Sequence, residues 1–399
     1  MKIAIYHNLP SGGAKRTLYE TAKRLFPKHT LDVYRLSTAD DEFYNLSEFI
    51  NSEYVFHFSP AKLFGSPFGR LNQLQRFSDL QRLDRLARRI ARQIDVGEYD
   101  VVFAQPCMWT QAPLLLRYLE TPSIYYCHEL PRNLYEPLFG QAGKKSNFQR
   151  TLDLVDPFIR LYHYVGRRFD YQATRSANKV LVNSAFVCEQ AKTTYKIDPL
   201  ISYLGVDTDI FRPSSKNENS HNYVLSVGAL QPHKGYRFLI ESIGHIDHKV
   251  RPALHLVGNM ENNGERGILK SLAIEKGVDL YIEVGVDQNE LVQKYNNASL
   301  VVYTPHKEPF GLVPLEAMAC GIPVVGVREG GLLETVLHER TGLLTDRNAE
   351  QFGAAVQHLL MNPNLIKTYG RNGREHVLDN WSWDKSILNL TNYLENCRS

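Results

Sequence analysis

The chain of 399 residues is too long for one ordinary hydrophobic core and is long enough for two domains. Its composition, 43% hydrophobic and 22% charged, is typical of a globular protein and excludes a fibrous or low-complexity one. Its five cysteines have no metal-ligand spacing and no even-numbered framework, and no apolar run is long enough to span a membrane, so the sequence favours a reducing cytosol over export.

Charge is distributed unevenly along the chain. Residues 1–205 contain 27 Lys and Arg against 20 Asp and Glu, whereas residues 206–399 contain 19 against 23. The basic first half therefore favours an anionic partner on that side, such as lipid phosphate or a membrane surface.

The chain begins with a short apolar strand, residues 2–6, and a loop that contains Ser11, Gly12 and Gly13. A helix follows, with Ser11 placed to cap it, and the glycine pair lets the backbone approach a ligand. The loop is not a dinucleotide-binding fingerprint, which needs three glycines at fixed positions, and a plain turn explains it equally well.

Residues 70–94 have the periodicity of an amphipathic helix that carries seven arginines against two aspartates. A glycine-rich apolar loop, residues 63–69, precedes it. One interpretation is that residues 62–94 meet an anionic membrane surface. The other is a packed helix with an arginine face in solvent.

Two further strands, residues 99–104 and 123–128, alternate with helix, and His128 lies where the second strand ends. Parallel α/β sheets place their ligands at that edge. Residues 131–170 show few periodic signals and are interpreted as loops plus helix near an acceptor. A polar linker at residues 213–222 then separates the two halves.

The second half again alternates strand and helix, with Lys234 at the start of its first predicted helix and Gly285-Val286 after a later strand. A buried strand at residues 299–304 leads into the most informative run, residues 307–325. Gly311 allows a tight turn, and residues 313–320 are predicted to form about two turns of helix. The free amides at that helix start are suited to phosphate, and Glu308 and Glu316 on either side are suited to hydroxyl groups of a sugar or ribose.

The run at residues 307–325 resembles the signature of retaining family 4 glycosyltransferases, which have the GT-B fold. Both have Glu, seven residues and Glu, with Phe-Gly-Leu after the first Glu and Glu-Ala-Met-Ala-Cys-Gly around the second. The segment at residues 204–213 also resembles the family's sequence at the domain junction. The resemblance covers nearly the whole chain.

The resemblance implies roles for individual residues. The catalytic residues implied are Glu308, which contacts the donor sugar, and His128, which lies beside that sugar; Glu316 is implied to hold the ribose. The remaining donor-binding residues implied are Gly13, Lys234, Gly285, Val286, Phe310, Gly311, Leu312 and Val313, and those on the acceptor side are Gly12, Lys15 and Arg16. The chain departs from the family at Ala229, where most members have an arginine that holds the diphosphate. Arg237 and Arg328 are the candidates to replace it.

We therefore expect an α/β protein with two Rossmann-like, doubly wound, parallel-sheet domains facing across a cleft. The expected boundaries are an acceptor domain at residues 1–205, a donor domain at 206–378 and a C-terminal helix at 379–399 that returns to the first domain. The implied activity is retaining, metal-independent hexosyl transfer from a nucleotide sugar to a hydroxyl of a glycan, lipid-linked or small-molecule acceptor.

The nucleotide sugar is expected to be a substrate, no cofactor is expected to be required, and nucleic acid is not an expected partner. A cytoplasmic location is expected, with peripheral attachment at the inner face of the membrane left open. The alternatives are a non-catalytic nucleotide-sugar-binding subunit, which Ala229 would favour, or a GT-B relative with epimerase chemistry. The sequence does not identify the donor base, the sugar, the acceptor or the oligomeric state.

Overall fold

Parallel β-sheets form the centre of both halves of the chain. The computed structural model describes residues 1–65, 72–136, 156–214, 223–261 and 264–397. The first unit contains residues 1–202 and the C-terminal segment from Ile387, and the second contains residues 203–386.

The sheet of the first unit has seven strands in the order β3-β2-β1-β4-β5-β6-β7. Strands β2 and β3 are added on one side of β1, and β4 to β7 on the other, which is the doubly wound arrangement. Its strands are β1 (Lys2–Asn8), β2 (Thr30–Leu36), β3 (Ser52–Phe56), β4 (Val101–Cys107), β5 (Ser123–Cys127), β6 (Lys179–Val182) and β7 (Leu200–Ile201). Its helices are α1 (Gly13–Leu25), α2 (Asn72–Val96), α3 (Arg132–Tyr135), α4 (Pro157–Ser176) and α5 (Ala185–Tyr195).

The sheet of the second unit has six strands in the order β10-β9-β8-β11-β12-β13, which again reverses beside its first strand. Its strands are β8 (Tyr223–Val227), β9 (Ala253–Gly258), β10 (Leu280–Val284), β11 (Leu300–Tyr303), β12 (Val324–Val327) and β13 (Gly342–Thr345). Its helices are α6 (Tyr236–Gly244), α7 (Glu265–Lys276), α8 (Gln288–Asn297), α9 (Leu312–Ala319), α10 (Leu332–Thr335), α11 (Ala349–Leu360) and α12 (Pro363–Asn380). The prediction of two Rossmann-like, doubly wound domains is confirmed.

The last helix, α13 (Trp383–Glu395), begins in the second unit and ends in the first. Its C-terminal end is held within the first unit, where the Lys179 ammonium donates to the Asn396 carbonyl oxygen at 2.5 Å. The sequence placed the domain boundary at 205/206 and the start of the returning segment at residue 379. In the structure the second unit begins at Tyr203 and ends at Ser386.

The arginine-rich segment is helical, as its periodicity predicted. Helix α2 runs from Asn72 to Val96 and packs its apolar stripe into the first unit's core. The buried residues of that stripe are Leu80, Leu83, Ala87, Ile90, Ala91 and Ile94. Arg85, Arg88, Arg89 and Arg92 lie on the exposed side. Residues 66–71, which include Arg70 and most of the glycine-rich loop before the helix, lie outside the described residues.

Some local predictions differ from the structure. Gly12, and not Ser11, occupies the N-cap of α1, and no side chain caps that helix. The helix expected between the strands at residues 99–104 and 123–128 is a short 3₁₀ turn, Leu114–Arg117. The predicted loops and helix at residues 131–170 correspond partly to α3 and α4, and residues 137–155 lie outside the described part. Within the described residues, none of the helices is both long enough and apolar enough to cross a lipid bilayer.

Candidate active site

The signature run forms a strand, a loop and a short buried helix. The loop leaves β11 and enters α9, with Gly311 at the N-cap in the left-handed region at φ 97°. A helix leaves its first amide N–H groups without intrahelical partners, and the positive end of its dipole points the same way. Residues 310–313 therefore lie at a helix start of the kind that suits an anion. The helix begins at Leu312, one residue before the predicted start.

A second glycine loop packs directly against this one. The amide of Gly331 donates to the carbonyl oxygen of Glu308 at 2.8 Å. A Cβ atom at Gly330, where φ is 62°, would lie 2.3 Å from the same oxygen, and one at Gly331 would lie 2.5 Å from the Pro309 oxygen. Only glycine fits at these two positions, because any side chain would push the Glu308 loop out of place.

A partly buried ion pair between Arg347 and Glu329 holds both loops. The Arg347 guanidinium contacts the Glu329 carboxylate at 2.8 Å and donates to the carbonyl oxygens of Thr304 and Pro305 at 3.0 and 2.9 Å. The Glu329 carboxylate also accepts from the amide of Lys307 at 3.2 Å. Sequence reasoning missed Arg347, since it lies well outside the signature run and no local pattern points to it.

Glu308 and Lys234 meet at the mouth of this site. The Lys234 ammonium lies 3.0 Å from a carboxylate oxygen of Glu308, and the two side chains are 18% and 19% exposed. Lys234 ends a 3₁₀ turn, Pro232–Lys234, and Gly235 then turns the chain into α6 at φ 75°. The sequence assigned Lys234 to the diphosphate and Glu308 to the sugar and did not foresee that they form an ion pair.

Tyr303 lies beneath the same carboxylate. Its phenol is buried, and burial together with the nearby Glu308 charge raises the Tyr303 pKa well above its usual value. A protonated phenol at this position can donate a hydrogen bond, so Tyr303 and Lys234 together fix the orientation of Glu308.

Glu316 is more deeply buried than expected for a residue that binds ribose. It is 2% exposed, and its carboxylate accepts a hydrogen bond from the Tyr295 hydroxyl at 2.7 Å. Burial and the Glu316 charge raise the pKa of Cys320 to about 12, which keeps that neighbouring thiol protonated. The Tyr295 hydrogen bond fixes the direction of the carboxylate on α9.

Neither candidate for the missing arginine at Ala229 is seen at the Glu308 loop. The Arg237 guanidinium pairs with Glu265 through two contacts of 3.1 and 2.8 Å. Arg328 donates to the carbonyl oxygen of Leu344 at 2.9 Å.

Gly285 and Val286 follow β10 at the same edge of the sheet. Gly285 has φ 82°, and its amide donates to the carbonyl oxygen of Gly258 at 2.9 Å. Asp287 and Glu290 then form a reciprocal capping box that starts α8. The second unit therefore brings Lys234, Gly285, Glu308 and the Gly330–Gly331 loop to the carboxyl ends of its strands, which is where open α/β sheets bind ligands.

The remaining predicted residues belong to the first unit, at the carboxyl ends of β1 and β5. Gly12, Gly13, Lys15 and Arg16 open α1. Lys15 is only 2% exposed, and burial followed by repulsion from Arg35 lowers its pKa to about 8. The structure places these four residues together in one turn.

His128 directly follows β5 and is buried. A ring nitrogen lies 2.9 Å from the side-chain oxygen of Gln105, and burial lowers the His128 pKa to about 3. The imidazole is therefore neutral at physiological pH, and its Nε2 proton is donated to Gln105 in the tautomer that this contact requires. The sequence offered no sign of Gln105, which lies on the neighbouring strand β4.

Metal ligands are not clustered in the part of the chain that the structure describes. No group of three or more His, Cys, Asp or Glu side chains there is arranged to hold an ion.

Comparison with known proteins identifies relatives of both halves. Residues 207–376 match the family described as Glycosyl transferases group 1, and residues 11–210 match Glycosyltransferase Family 4. An uncharacterized glycosyltransferase of Methanocaldococcus jannaschii is 30% identical over 246 residues, which are 61% of this chain and 67% of that protein. The D-inositol 3-phosphate glycosyltransferase of Segniliparus rotundus is 30% identical over 257 residues, or 60% of this chain and 55% of that protein. Human alpha-1,3/1,6-mannosyltransferase ALG2 is 28% identical over 271 residues, or 60% of this chain and 64% of that protein.

Solved structures share the fold over almost the full chain. Sucrose-phosphate synthase from Thermosynechococcus elongatus superposes with a TM-score of 0.73 at 20% identity, covering 99% of this chain and 98% of its own. Anabaena HepE, solved in complex with UDP and glucose, has a TM-score of 0.71 at 21% identity. The match covers 99% of this chain and 100% of the HepE chain. These similarities show the GT-B type of fold.

Proposed function

Because this chain belongs to the family 4 glycosyltransferases, we propose that it transfers a hexosyl group from a nucleotide sugar to an acceptor hydroxyl with retention of anomeric configuration. The observation that carries the proposal is the meeting of Glu308, Lys234 and the α9 N-terminus in one place. A carboxylate for sugar hydroxyls thus lies directly beside two groups that attract a diphosphate.

Charge stabilisation at the leaving group is the main contribution of the second unit. As the bond from the sugar to the diphosphate breaks, negative charge grows on the phosphate oxygens. The amides of residues 310–313 are already oriented, so they stabilise that charge without reorganising, and the Lys234 ammonium joins them once the phosphate has displaced Glu308. The acceptor attacks from the same face, and the leaving phosphate takes its proton.

The ion pair between Lys234 and Glu308 gives the donor a defined order of contacts. A diphosphate competes with Glu308 for the Lys234 ammonium. Once Lys234 turns to the phosphate, the Glu308 carboxylate loses its cation and gains the hydroxyl groups of the donor sugar. A bare nucleoside diphosphate breaks the pair without providing that replacement.

The first unit is proposed to hold the acceptor through Gly12, Lys15 and Arg16 at the start of α1. The neutral His128 is proposed to donate or accept a hydrogen bond at the sugar and not to act as a cation. The acceptor is a hydroxyl of a glycan, a lipid-linked sugar or a small molecule, and no cofactor takes part.

A thermal-shift screen of UDP, GDP, ADP and their sugars tests the donor assignment. A nucleotide at a hundred times its dissociation constant should raise the free energy of unfolding by about 2.7 kcal/mol. Stabilisation by none of them would contradict the proposal. A non-catalytic binding subunit would be stabilised equally but would release no nucleoside diphosphate from the sugar nucleotide.

Replacing Glu316 with Ala should weaken nucleotide binding about tenfold or more, because charged hydrogen bonds to the ribose are each worth roughly 1.5–3 kcal/mol. Calorimetry with the bare nucleotide measures this. The matched control is Tyr295→Phe, which removes the 2.7 Å hydrogen bond to Glu316 but keeps the carboxylate. If both variants lost affinity equally, Glu316 would act by maintaining the fold and not by binding ribose.

Activity should survive chelation of divalent ions, because Lys234 and helix amides are proposed to neutralise the phosphates. Initial rates with and without EDTA provide the measurement. A rate that falls on chelation and returns with Mg²⁺ or Mn²⁺ would show that this part of the proposal is wrong.

We also propose peripheral contact of the first unit with anionic membranes through residues 62–94. Arg85, Arg88, Arg89 and Arg92 are exposed on α2, and α4 beside it exposes Phe158, Leu161 and Tyr164. Exposed arginines and apolar side chains on neighbouring helices suit a charged lipid surface.

Co-sedimentation with anionic liposomes should be weak, sensitive to salt and lost when these four arginines are changed to Gln, since each basic residue near the surface contributes about 1 kcal/mol. Gln substitutions at four exposed basic residues of the second unit, Lys249, Lys270, Lys367 and Arg371, would serve as the control for surface mutation. Equal recovery with neutral liposomes would instead support an arginine face that is simply solvated.

A further inference from the structure

A groove of about 570 Å³ lies on the second unit, away from the donor-site loops. Its floor is the sheet face of β8, β9 and β10, and its wall is α8. It reaches back to Tyr223, the first residue of β8, whereas Lys234, Gly285 and Glu308 all follow the opposite ends of their strands. The volume is within the range of small-molecule sites.

Three aromatic rings form the floor of this groove. Tyr281 is paired with His255 in the register of β10 and β9, and their ring centroids are 4.7 Å apart. Tyr223 on β8 lies diagonally from His255 and stacks on it at 4.1 Å, with ring planes 19° apart. The spacing of the rings follows the spacing of adjacent strands. Tyr281 at the outer end of this row is 49% exposed, so its ring faces the groove's opening.

The polar lining of the groove is nearly neutral. The Lys294 ammonium pairs with the Glu283 carboxylate at 2.7 Å, and the Tyr223 hydroxyl donates to the Lys294 carbonyl oxygen at 2.7 Å. Glu290 is engaged with the amide of Asp287 at the start of α8. Gln293 adds a side-chain amide, which can both donate and accept.

These features favour a neutral ligand with many hydroxyl groups. A phosphate would meet two carboxylates and an ammonium that already has a partner, and a purely apolar ligand would desolvate the Glu283–Lys294 pair without replacing its water. A sugar ring has an apolar C–H face that packs on an aromatic ring and an edge of hydroxyls that bonds to carboxylates and amides.

We infer that this groove is an accessory carbohydrate-binding site, with Tyr281 as its stacking platform and Glu283, Gln293 and Lys294 as its hydroxyl-binding groups. It lies outside the proposed transfer site and would hold a part of a glycan distant from the reacting hydroxyl. The inference concerns binding alone, so it is tested without any transfer reaction.

The test is ligand-observed NMR and calorimetry with trisaccharides of glucose, galactose, mannose and N-acetylglucosamine. We expect at least one of them to bind with millimolar affinity and Tyr281→Ala to weaken that binding about tenfold, since loss of stacking is worth roughly 1.4 kcal/mol. Gln293→Ala should give a smaller loss. Tyr164→Ala removes a similarly exposed tyrosine from α4 and should bind as the unaltered protein does.

Nucleotide binding and melting temperature are measured on the same variants. Unchanged nucleotide affinity in Tyr281→Ala shows that the variant is folded and that the groove is separate from the donor site. Absence of binding by every trisaccharide, or equal binding by Tyr281→Ala, would overturn the inference. Failure of the transfer proposal would appear separately, as the absence of nucleoside diphosphate release.

Discussion

Replacing Glu308 with Gln should lower kcat about ten- to a hundredfold. The substitution keeps the size of the side chain and one acceptor oxygen but removes the negative charge that favours a positively charged sugar in the transition state. A positioned, charge-assisted hydrogen bond is worth roughly 1.5–3 kcal/mol, which corresponds to that range of rates. Single-turnover transfer measures the change.

The same variant should bind the bare nucleoside diphosphate slightly more tightly. In the unaltered protein the phosphate must displace Glu308 from Lys234, and Gln competes less well for the ammonium. A partly exposed ion pair is worth roughly 0.2–1 kcal/mol, so we expect an increase in affinity of about 1.5- to 5-fold. Glu350→Gln, at the exposed N-terminal turn of α11, should change neither quantity. A Glu308→Gln protein that lost nucleotide affinity and kept its rate would show that the role given to Glu308 is wrong.

Replacing Lys234 with Ala should weaken binding of the bare nucleotide about ten- to a hundredfold. The ammonium lies 3.0 Å from the Glu308 carboxylate, and at position 229, where the family resemblance implies an arginine, this chain has alanine. A charged hydrogen bond to phosphate contributes roughly 1.5–3 kcal/mol. Calorimetry with the nucleoside diphosphate provides the measurement.

Two further variants serve as controls for Lys234→Ala. Lys234→Arg should retain part of the affinity, because it keeps a cation on a long side chain. Lys270→Ala, at an exposed position on α7, should behave as the unaltered protein. Nucleotide affinity that survived Lys234→Ala unchanged would move the phosphate site away from the Glu308 loop.

Local patterns carried most of what the sequence predicted. The signature helix, the glycine turn before it and the amphipathic α2 were all visible, because each depends on residues only a few positions apart. Parallel sheets followed from the alternation of apolar strands with helices, and the family resemblance implied that there are two and that both are doubly wound. The Ser11 cap was wrong because Gly12 begins the helix at φ 146°, a backbone conformation that glycine adopts and other residues rarely do.

Long-range pairings were what the sequence could not give. Lys234 and Glu308 are 74 residues apart, and they meet because β8 and β11 are neighbours in the sheet. The contact between His128 and Gln105 depends in the same way on β5 lying beside β4. The row of aromatic rings at Tyr281 requires the register of three strands, which composition and periodicity do not fix.

The proposed transfer is tested most directly by NMR. A nucleotide sugar that stabilises the protein in the thermal-shift screen is mixed with the protein, and its anomeric protons are followed. Slow transfer to water is sufficient, so the acceptor need not be known. We predict release of the nucleoside diphosphate and a first-formed sugar product with the donor's own anomeric configuration, both slowed by Glu308→Gln. A product of inverted configuration, or no release from any nucleotide sugar that binds, would contradict the account.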